Sequence, residues 1–360
     1  MESKDIDETD DLMLEIVLKL PMRSLARFKC VSKTWHSRIQ DFCIPKLLQS
    51  LQLQVSSIGR EHHVHYIDNT RVLYSCSLFL PRPILACHLL DCCNGLLLLW
   101  VCDKEYVVCN PVTKQYVSLK LLVPRNQVTG LLINAALAFD PSISPHYKVV
   151  LFDSRNNRLL VFSSKSWSWN PLKYELQDVL SILRWDKESI YFCGAIYKLS
   201  KSGHVVKFSI DEEKVASDRV RAIKLPKYAP EMRCYGVSNG SLHYANVDDG
   251  NLQIWVLNGS IGDECEWVLK YTVSCQTIGK DRGIYSVHPC AIHPFSDIIF
   301  LGCDGGKYPN VYYYDFSNQT LEPQCKLFSI AKEVDFKDYI FYPFFYCIDS
   351  LVPRNKKVQA

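Results

Sequence analysis

Two unlike patterns divide the chain. Over "DDLMLEIVLKLP" (10–21) apolar residues recur at helical spacing, with Leu12, Ile16 and Leu20 on one i, i+4 stripe. Met13 and Val17 form a second stripe, and Leu14 and Leu18 a third. A helix this apolar on nearly every side, in so short a unit, has to be covered from outside, so the pattern predicts a partner. Thr9 is placed to cap its start, Asp10 and Asp11 complement its dipole, and Pro21 ends it. "MRSLARFKC" predicts a second short helix with Leu25 and Phe28 inward. Ser32 is the expected cap of a third helix, in which Trp35 and Ile39 share a face. Three helices in about thirty residues bury too little surface to stand alone.

From about residue 50 the helical period gives way to short alternating runs rich in Val, Ile, Tyr, Phe and Trp. Asn-Gly, Asp-Gly, Asp-Pro and Ser-Asn turns separate them, and "CNGLLLLW", "SNGSLHYANVDDGNLQIWVLNGS" and "HPFSDIIFLGCDGG" read as hairpins. One unit, strand–polar turn–strand, recurs from Tyr106, Leu159, Val205, Leu252 and Val311. A new unit about every fifty residues, with about four short strands in each, is what β-propeller blades require; a sandwich has no reason to repeat this way. A propeller hides its edges by closing the ring, so residues 50–86 and "FYPFFYCIDSLVP" (341–353) are expected to complete one blade together. Five clear repeats plus that composite predict six blades, with five and seven left open by the repeat count. The expected fold class is α+β multidomain. A three-helix unit occupies 1–45, a linker and first propeller strands 46–87, the all-β propeller 88–353 and a disordered tail 354–360.

Charge refines this picture. The net value is only +3, too small for a nucleic-acid footprint over the whole surface. Its distribution is uneven: residues 1–15 carry seven acids against Lys4, whereas Leu20–Ile39 holds six basic residues and no acid. The N-terminus lacks an apolar leader, and the longest apolar run, "GLLLLWV" (95–101), is too short to span a bilayer. Neither secretion nor membrane insertion is expected, and the predicted location is the cytoplasm and/or nucleus. The sixteen cysteines are then expected to stay reduced. Cys76, Cys193, Cys234, Cys290 and Cys347 fall in apolar runs and read as small core hydrophobes.

Motifs for chemistry are missing. There is no His-Glu-x-x-His, Gly-x-Ser-x-Gly or Gly-x-Gly-x-x-Gly. "LGCDGGKY" (301–308) lacks the earlier glycine and the following Ser or Thr of a P-loop and reads as a hairpin turn. "CHLLDCC" (87–93) and "HHVH" (62–65) invite a zinc reading, but no Cys-x-x-Cys pair supplies closely spaced ligands. Asp248-Asp249 and Glu212-Glu213 sit in turn-like contexts, and Trp167 and Trp169 are read as outer-strand packing before a binding platform. No catalytic residue, metal or cofactor is expected.

The segment "DLMLEIVLKLPMRSLARFKCVSKTWHSRI" (11–39) resembles an F-box of the plant type. The match is carried by Asp11, Leu12, Ile16, Leu20, Pro21, Ser24, Leu25, Phe28, Cys30, Val31, Ser32, Lys33 and Trp35. Glu8-Thr9 stands where the family usually opens with Leu-Pro, a pair that contacts the adaptor, which implies a weakened first contact. "CCNGLLLL", "VVCNPVTKQYVSL" and "LAFDPSISPHYKVV" are similar to the F-box-associated propeller domain, whereas the repeated marks of WD40 and kelch blades do not recur.

The resemblance implies a non-catalytic substrate receptor that docks on a Skp-type adaptor and through it on a cullin-RING (SCF) ubiquitin ligase. Leu12, Ile16, Leu20, Pro21, Leu25, Cys30, Val31 and Trp35 would carry that apolar contact, with the basic residues at its rim, and the propeller would capture an unknown target protein. Phe28 and Ile39 are expected to be intradomain core. Two other classes stay open: nucleic-acid binding by the basic helices, which predicts steep salt dependence, and a propeller enzyme.

Overall fold

The computed structural model describes residues 31–39, 52–57, 64–68, 71–75, 87–101, 105–110, 113, 115–120, 134–153, 156–175, 185–229, 232–259, 265–280, 282–304, 310–326 and 339–344. These residues form a β-propeller. The first two expected helices and the tail lie outside the described residues; of the third, α1 (Lys33–Arg38) is described.

Five blades are built from consecutive strands, each a four-stranded antiparallel sheet numbered from inside outward. The first comprises β4 (Cys87–Cys93), β5 (Leu96–Val101), β6 (Glu105–Asn110) and β7 (Gln115–Leu119). The second holds β8 (Ala135–Ala138), β9 (Lys148–Asp153), β10 (Arg158–Ser163) and β11 (Ser168–Lys173). The third holds β12 (Trp185–Phe192), β13 (Ala195–Ser200), β14 (His204–Ser209) and β15 (Val220–Lys224). The fourth holds β16 (Arg233–Ser238), β17 (Ser241–Asp248), β18 (Asn251–Asn258) and β19 (Glu266–Ser274). The fifth holds β20 (Ser286–Ile292), β21 (Ile298–Asp304), β22 (Asn310–Asp315) and β23 (Thr320–Lys326). A further four-stranded sheet joins β24 (Tyr339–Phe344) to β1 (Gln52–Ser57), β2 (Val64–Asp68) and β3 (Arg71–Ser75). There Gln54 pairs with Tyr342 and Gln52 with Phe344, so strands from opposite ends of the chain share one sheet. The inner strands β4, β8, β12, β16 and β20 are neighbours in turn, and β24 touches both β20 and β4.

Local sequence explains the hairpins. Asn94-Gly95, Asn239-Gly240 and Asp249-Gly250 are two-residue turns in which both φ values are positive, the geometry whose twist matches that of antiparallel strands. Cys193-Gly194 is a fourth, with φ of 47° and 73°. This corrects the expectation for Cys193: pairing of Phe192 with Ala195 leaves the thiol at an exposed tip, not in the core. Cys234 and Cys290 are buried as expected, and Cys76 and Cys347 lie outside the described residues. The 305–309 part of "LGCDGGKY" is also outside them, though Cys303 pairs with Asn310 across it.

The core lies between blades. Leu98, Tyr106 and Val108 of the first blade pack with Leu137, Val149 and Phe162 of the second, and each later pair of neighbours repeats the arrangement. Trp169 on the outer strand β11 packs into the first of these layers, 5.4 Å from Phe162 and 6.4 Å from Tyr106 between ring centroids. Burying such aromatics against the next sheet supplies much of the drive to close the ring. No helix among the described residues is long and apolar enough to cross a membrane.

Candidate functional site

Three places carry side chains arranged for more than packing. The first is the N-terminal helix α1. Ser32 Oγ accepts a hydrogen bond from Trp35 N at 3.2 Å, the local cap that lets so short a helix start. Along the helix the exposure divides: Ile39 is fully buried, Trp35 half-buried, and Val31, just before the cap, 65% exposed. Of the residues expected to touch an adaptor, only Val31 and Trp35 are described. Leu12, Ile16, Leu20, Pro21, Leu25 and Cys30 lie outside the described residues, as does Phe28.

The second is a buried carboxylate at the propeller's centre. Asp91 follows a bulge in β4, where Leu89 pairs with Leu99 but Asp91 with Leu98. Its Oδ2 accepts from Leu137 N on β8 at 2.7 Å and from Ser189 Oγ on β12 at 2.8 Å, while Oδ1 accepts from Cys92 N at 2.9 Å. One side chain thus ties three successive inner strands. Burial pushes its carboxyl up to about 7, against the lowering pull of these donors and of Lys198. Lys198 is itself buried; its Nζ donates to Glu188 O at 3.3 Å and lies 5.1 Å from the centre of the Phe152 ring. Asp91 is 1% exposed, so this constellation has no access for a substrate and reads as a structural tie.

The third is a small, half-open cleft between the fourth and fifth blades. A bulge in β19 builds one wall. Trp255 pairs with Leu269 and Ile254 with Tyr271, leaving Lys270 as the extra residue. In a regular strand consecutive side chains point to opposite faces, whereas a bulge re-aims one of them. Here Lys270 Nζ and Tyr271 Oη both donate to Asp297 of the next blade, at 2.6 Å each, one to each carboxylate oxygen. Burial alone would raise Asp297, but these two donors hold it below its ordinary value, and the same bond with burial pushes Tyr271 up to about 12. The Tyr271 ring stacks on Phe316 at 4.5 Å and 10°.

β16–β17 of the same blade as β19 continue this wall, and Ile292, Ile298, Ile299 and Phe316 of the fifth blade form the facing one. Ser238, Gly236 and His243 lie on the cleft side of β16–β17, and Gly236 lets the strand approach Ile292, which a Cβ would meet at 3.3 Å. His243 Nδ1 is 2.9 Å from Ser241 O, an acceptor only, so Nδ1 carries the proton. Burial lowers the imidazole's affinity for a second proton and keeps the ring neutral. Nothing in the residue pattern marks this cleft. His243 sits in an ordinary alternating strand, and "EWVLKYTV" shows no irregularity at Lys270.

Among the described residues no group of three or more His, Cys, Asp or Glu is placed to hold a metal ion. Cys93, Cys234, Cys290 and Cys303 are thiols whose pKa burial raises, which makes them poor nucleophiles.

Comparison with known proteins places this geometry. The F-box protein At3g26010-like β-propeller family matches residues 50–309, and the F-box domain matches residues 9–47. Among similar proteins of Arabidopsis thaliana, F-box protein At5g07610 is 25% identical over 91% of this chain and 88% of its own. F-box protein At5g49610 is 29% identical over 68% of this chain and 70% of its own, and F-box protein At3g26010 is 25% identical over 83% and 75%. With an F-box ahead of a propeller that matches over most of its length, the chain belongs to the plant F-box proteins carrying an At3g26010-like β-propeller.

Proposed function

We propose that this protein is the substrate-recognition subunit of an SCF ubiquitin ligase. Its F-box docks on a Skp-type adaptor, and its propeller captures a target protein for ubiquitination by other subunits. The order of the two matched families along one chain carries this reading. In it the F-box folds as three helices, with Leu12, Ile16, Leu20, Pro21, Leu25, Cys30, Val31 and Trp35 forming the adaptor contact. A first segment whose apolar residues cover nearly every side of the expected helix, followed by an exposed Val31, supports that assignment. The composite β24–β1–β2–β3 sheet serves as the sixth blade, supported by β24 lying beside both β20 and β4.

A receptor of this kind needs no active-site residue, cofactor or metal, and it works in a reducing compartment, the cytoplasm and/or nucleus. Co-purification of the full chain with a plant Skp adaptor tests the reading. Wild type is expected to capture the adaptor, and Leu20→Asp with Pro21→Ala to lose it. Absence of capture by wild type, or undiminished capture by the double variant, rejects it. An electrophoretic shift of DNA or RNA abolished by moderate salt would instead favour the basic helices as a nucleic-acid grip.

A further inference from the structure

Each of the five blades ends in an outer strand whose free edge carries unpaired N–H and C=O groups. Such an edge invites another strand unless it is short or broken by proline. β7 and β15 are five residues long, β11 contains Pro171 and β23 contains Pro323. β19 has neither protection: it runs for nine residues without a proline, and among the described residues no strand pairs with its outer edge. The middle of this edge is apolar as well. Val268 is 44% exposed and Leu269 42%, although successive strand side chains point to opposite faces. Both flanks of the edge are therefore open there, while Trp267 beside them is buried against Tyr244.

The residues of this edge are complementary to themselves. Laid antiparallel about a two-fold axis through Val268, two copies set Val268 opposite Val268, Trp267 opposite Leu269 and Glu266 opposite Lys270. The symmetry makes the charged pair occur twice. A slip that moves the axis between Val268 and Leu269 puts Glu266 opposite Tyr271 and Lys270 opposite Trp267, so charge selects the first register. A foreign strand would have to bring matching charges of its own, whereas a second copy brings them by symmetry. Lys270 already donates to Asp297, but an ammonium has three N–H groups, and Lys270 is exposed enough to serve a second carboxylate. The bulge at Lys270 ends the regular edge and holds the pairing to a few residues from each copy. So short a contact falls well below the about 1,200 Å² of a stable interface, which makes the association weak and reversible.

We propose that β19 is a self-association edge, through which two copies of this chain pair antiparallel with Glu266 of each facing Lys270 of the other. This goes beyond the ligase reading and does not depend on it; a paired receptor would offer a target two propellers at once. Sedimentation velocity of the full chain, from dilute to concentrated solution, tests it. Wild type is expected to pass from monomer to dimer as concentration rises. Glu266→Lys sets lysine against Lys270 twice, and Val268→Lys sets lysine against itself on the axis. Each is expected to raise the dimer dissociation constant about tenfold or more. Lys270→Glu is expected to do the same. An equal mixture of the Glu266→Lys and Lys270→Glu proteins is expected to pair again, because every cross-strand contact between them joins opposite charges. Thermal melts confirm that each variant is folded; should Lys270→Glu unfold, Glu266→Lys and Val268→Lys decide the matter alone. A wild type that stays monomeric throughout overturns the proposal, as do folded charge variants that fail to pair when mixed. Association undiminished in Glu266→Lys and Val268→Lys overturns it too, since the contact then runs through another surface, the apolar N-terminal segment included.

Discussion

Asp91 on β4 and Ser189 on β12 are 98 residues apart in the chain, yet their side chains meet at 2.8 Å. Between them the same carboxylate oxygen takes the N–H of Leu137 on β8. A propeller holds its blades together mainly by apolar packing, which is not directional. This tie fixes the axial register of three inner strands in a way that leucines sliding past one another cannot.

Removing the tie should therefore cost more than a cavity of its size. In Asp91→Ala the Leu137 N–H and the Ser189 hydroxyl lose their acceptor in a dry interior, a destabilisation of about 3 kcal/mol in urea unfolding. Asp91→Asn keeps a carbonyl acceptor and should lose less. The two proteins should also differ in pH dependence. Burial raises Asp91 from 3.8 to about 7, so the folded state holds a proton that the unfolded chain releases earlier. Its contribution to stability is full below the unfolded value and is lost as pH rises toward the folded one. The stability gap between wild type and Asp91→Asn should accordingly shift in the mutant's favour between pH 4 and 7 and stay level above.

Local features of this fold were legible and non-local ones were not. Ser32 as a cap and Asn94-Gly95, Asn239-Gly240 and Asp249-Gly250 as turns depend on adjacent residues, and each is where the pattern puts it. The joining of the two chain ends followed from the need to hide an edge, and Gln54 pairs with Tyr342. Cys193 was misread because a cysteine between Phe192 and Gly194 looks apolar, whereas the following glycine makes it a turn. In the sequence Asp91 is one acid within "CHLLDCC"; its partners lie 46 and 98 residues away and depend on which strands become neighbours. The bulge at Lys270 leaves no trace in the alternation, so neither the cleft nor its paired donors could be foreseen.

Lys270, Tyr271 and Asp297 form a unit whose coupling can be measured. Tyr271→Phe and Asp297→Asn each break the same 2.6 Å bond, so their effects should not add; a double-mutant cycle should give a coupling of about 1 kcal/mol. Asp297→Asn should also bring the Tyr271 phenol down from about 12 toward its ordinary 10. The difference in phenolate absorbance between the Asp297→Asn protein and its Tyr271→Phe partner variant reads this directly. A Tyr271 that titrates unchanged would show that burial, not Asp297, holds it.

The β12–β13 turn separates conformational strain from crowding. Gly194 has a φ of 73°, and a Cβ added there would meet nothing within 4 Å. Gly194→Ala should still cost about 1 kcal/mol, because the left-handed region itself is unfavourable for a side chain. Cys193→Asn, which places at 47° a residue suited to that region, should hold or raise stability by about 0.5 kcal/mol. Thermal melts of the two variants check both signs.

A valine 65% exposed, separated by α1 from an Ile39 that is fully buried, is not contributing to this chain's own core. Val31→Asp should leave the unfolding midpoint where it is, within about 0.5 kcal/mol, since surface changes away from caps and cores are nearly silent. If the F-box meets its adaptor through this surface, the same substitution puts an unpaired carboxylate into a closing apolar interface. Adaptor capture should then fall about tenfold or more, by the cost of burying that charge. Ile39→Asp makes the contrast: it should unfold the helical segment and lose the adaptor together with the thermal transition. Calorimetry and adaptor titration on both variants separate a contact residue from a core residue, and equal adaptor affinity for wild type and Val31→Asp would remove Val31 from the interface.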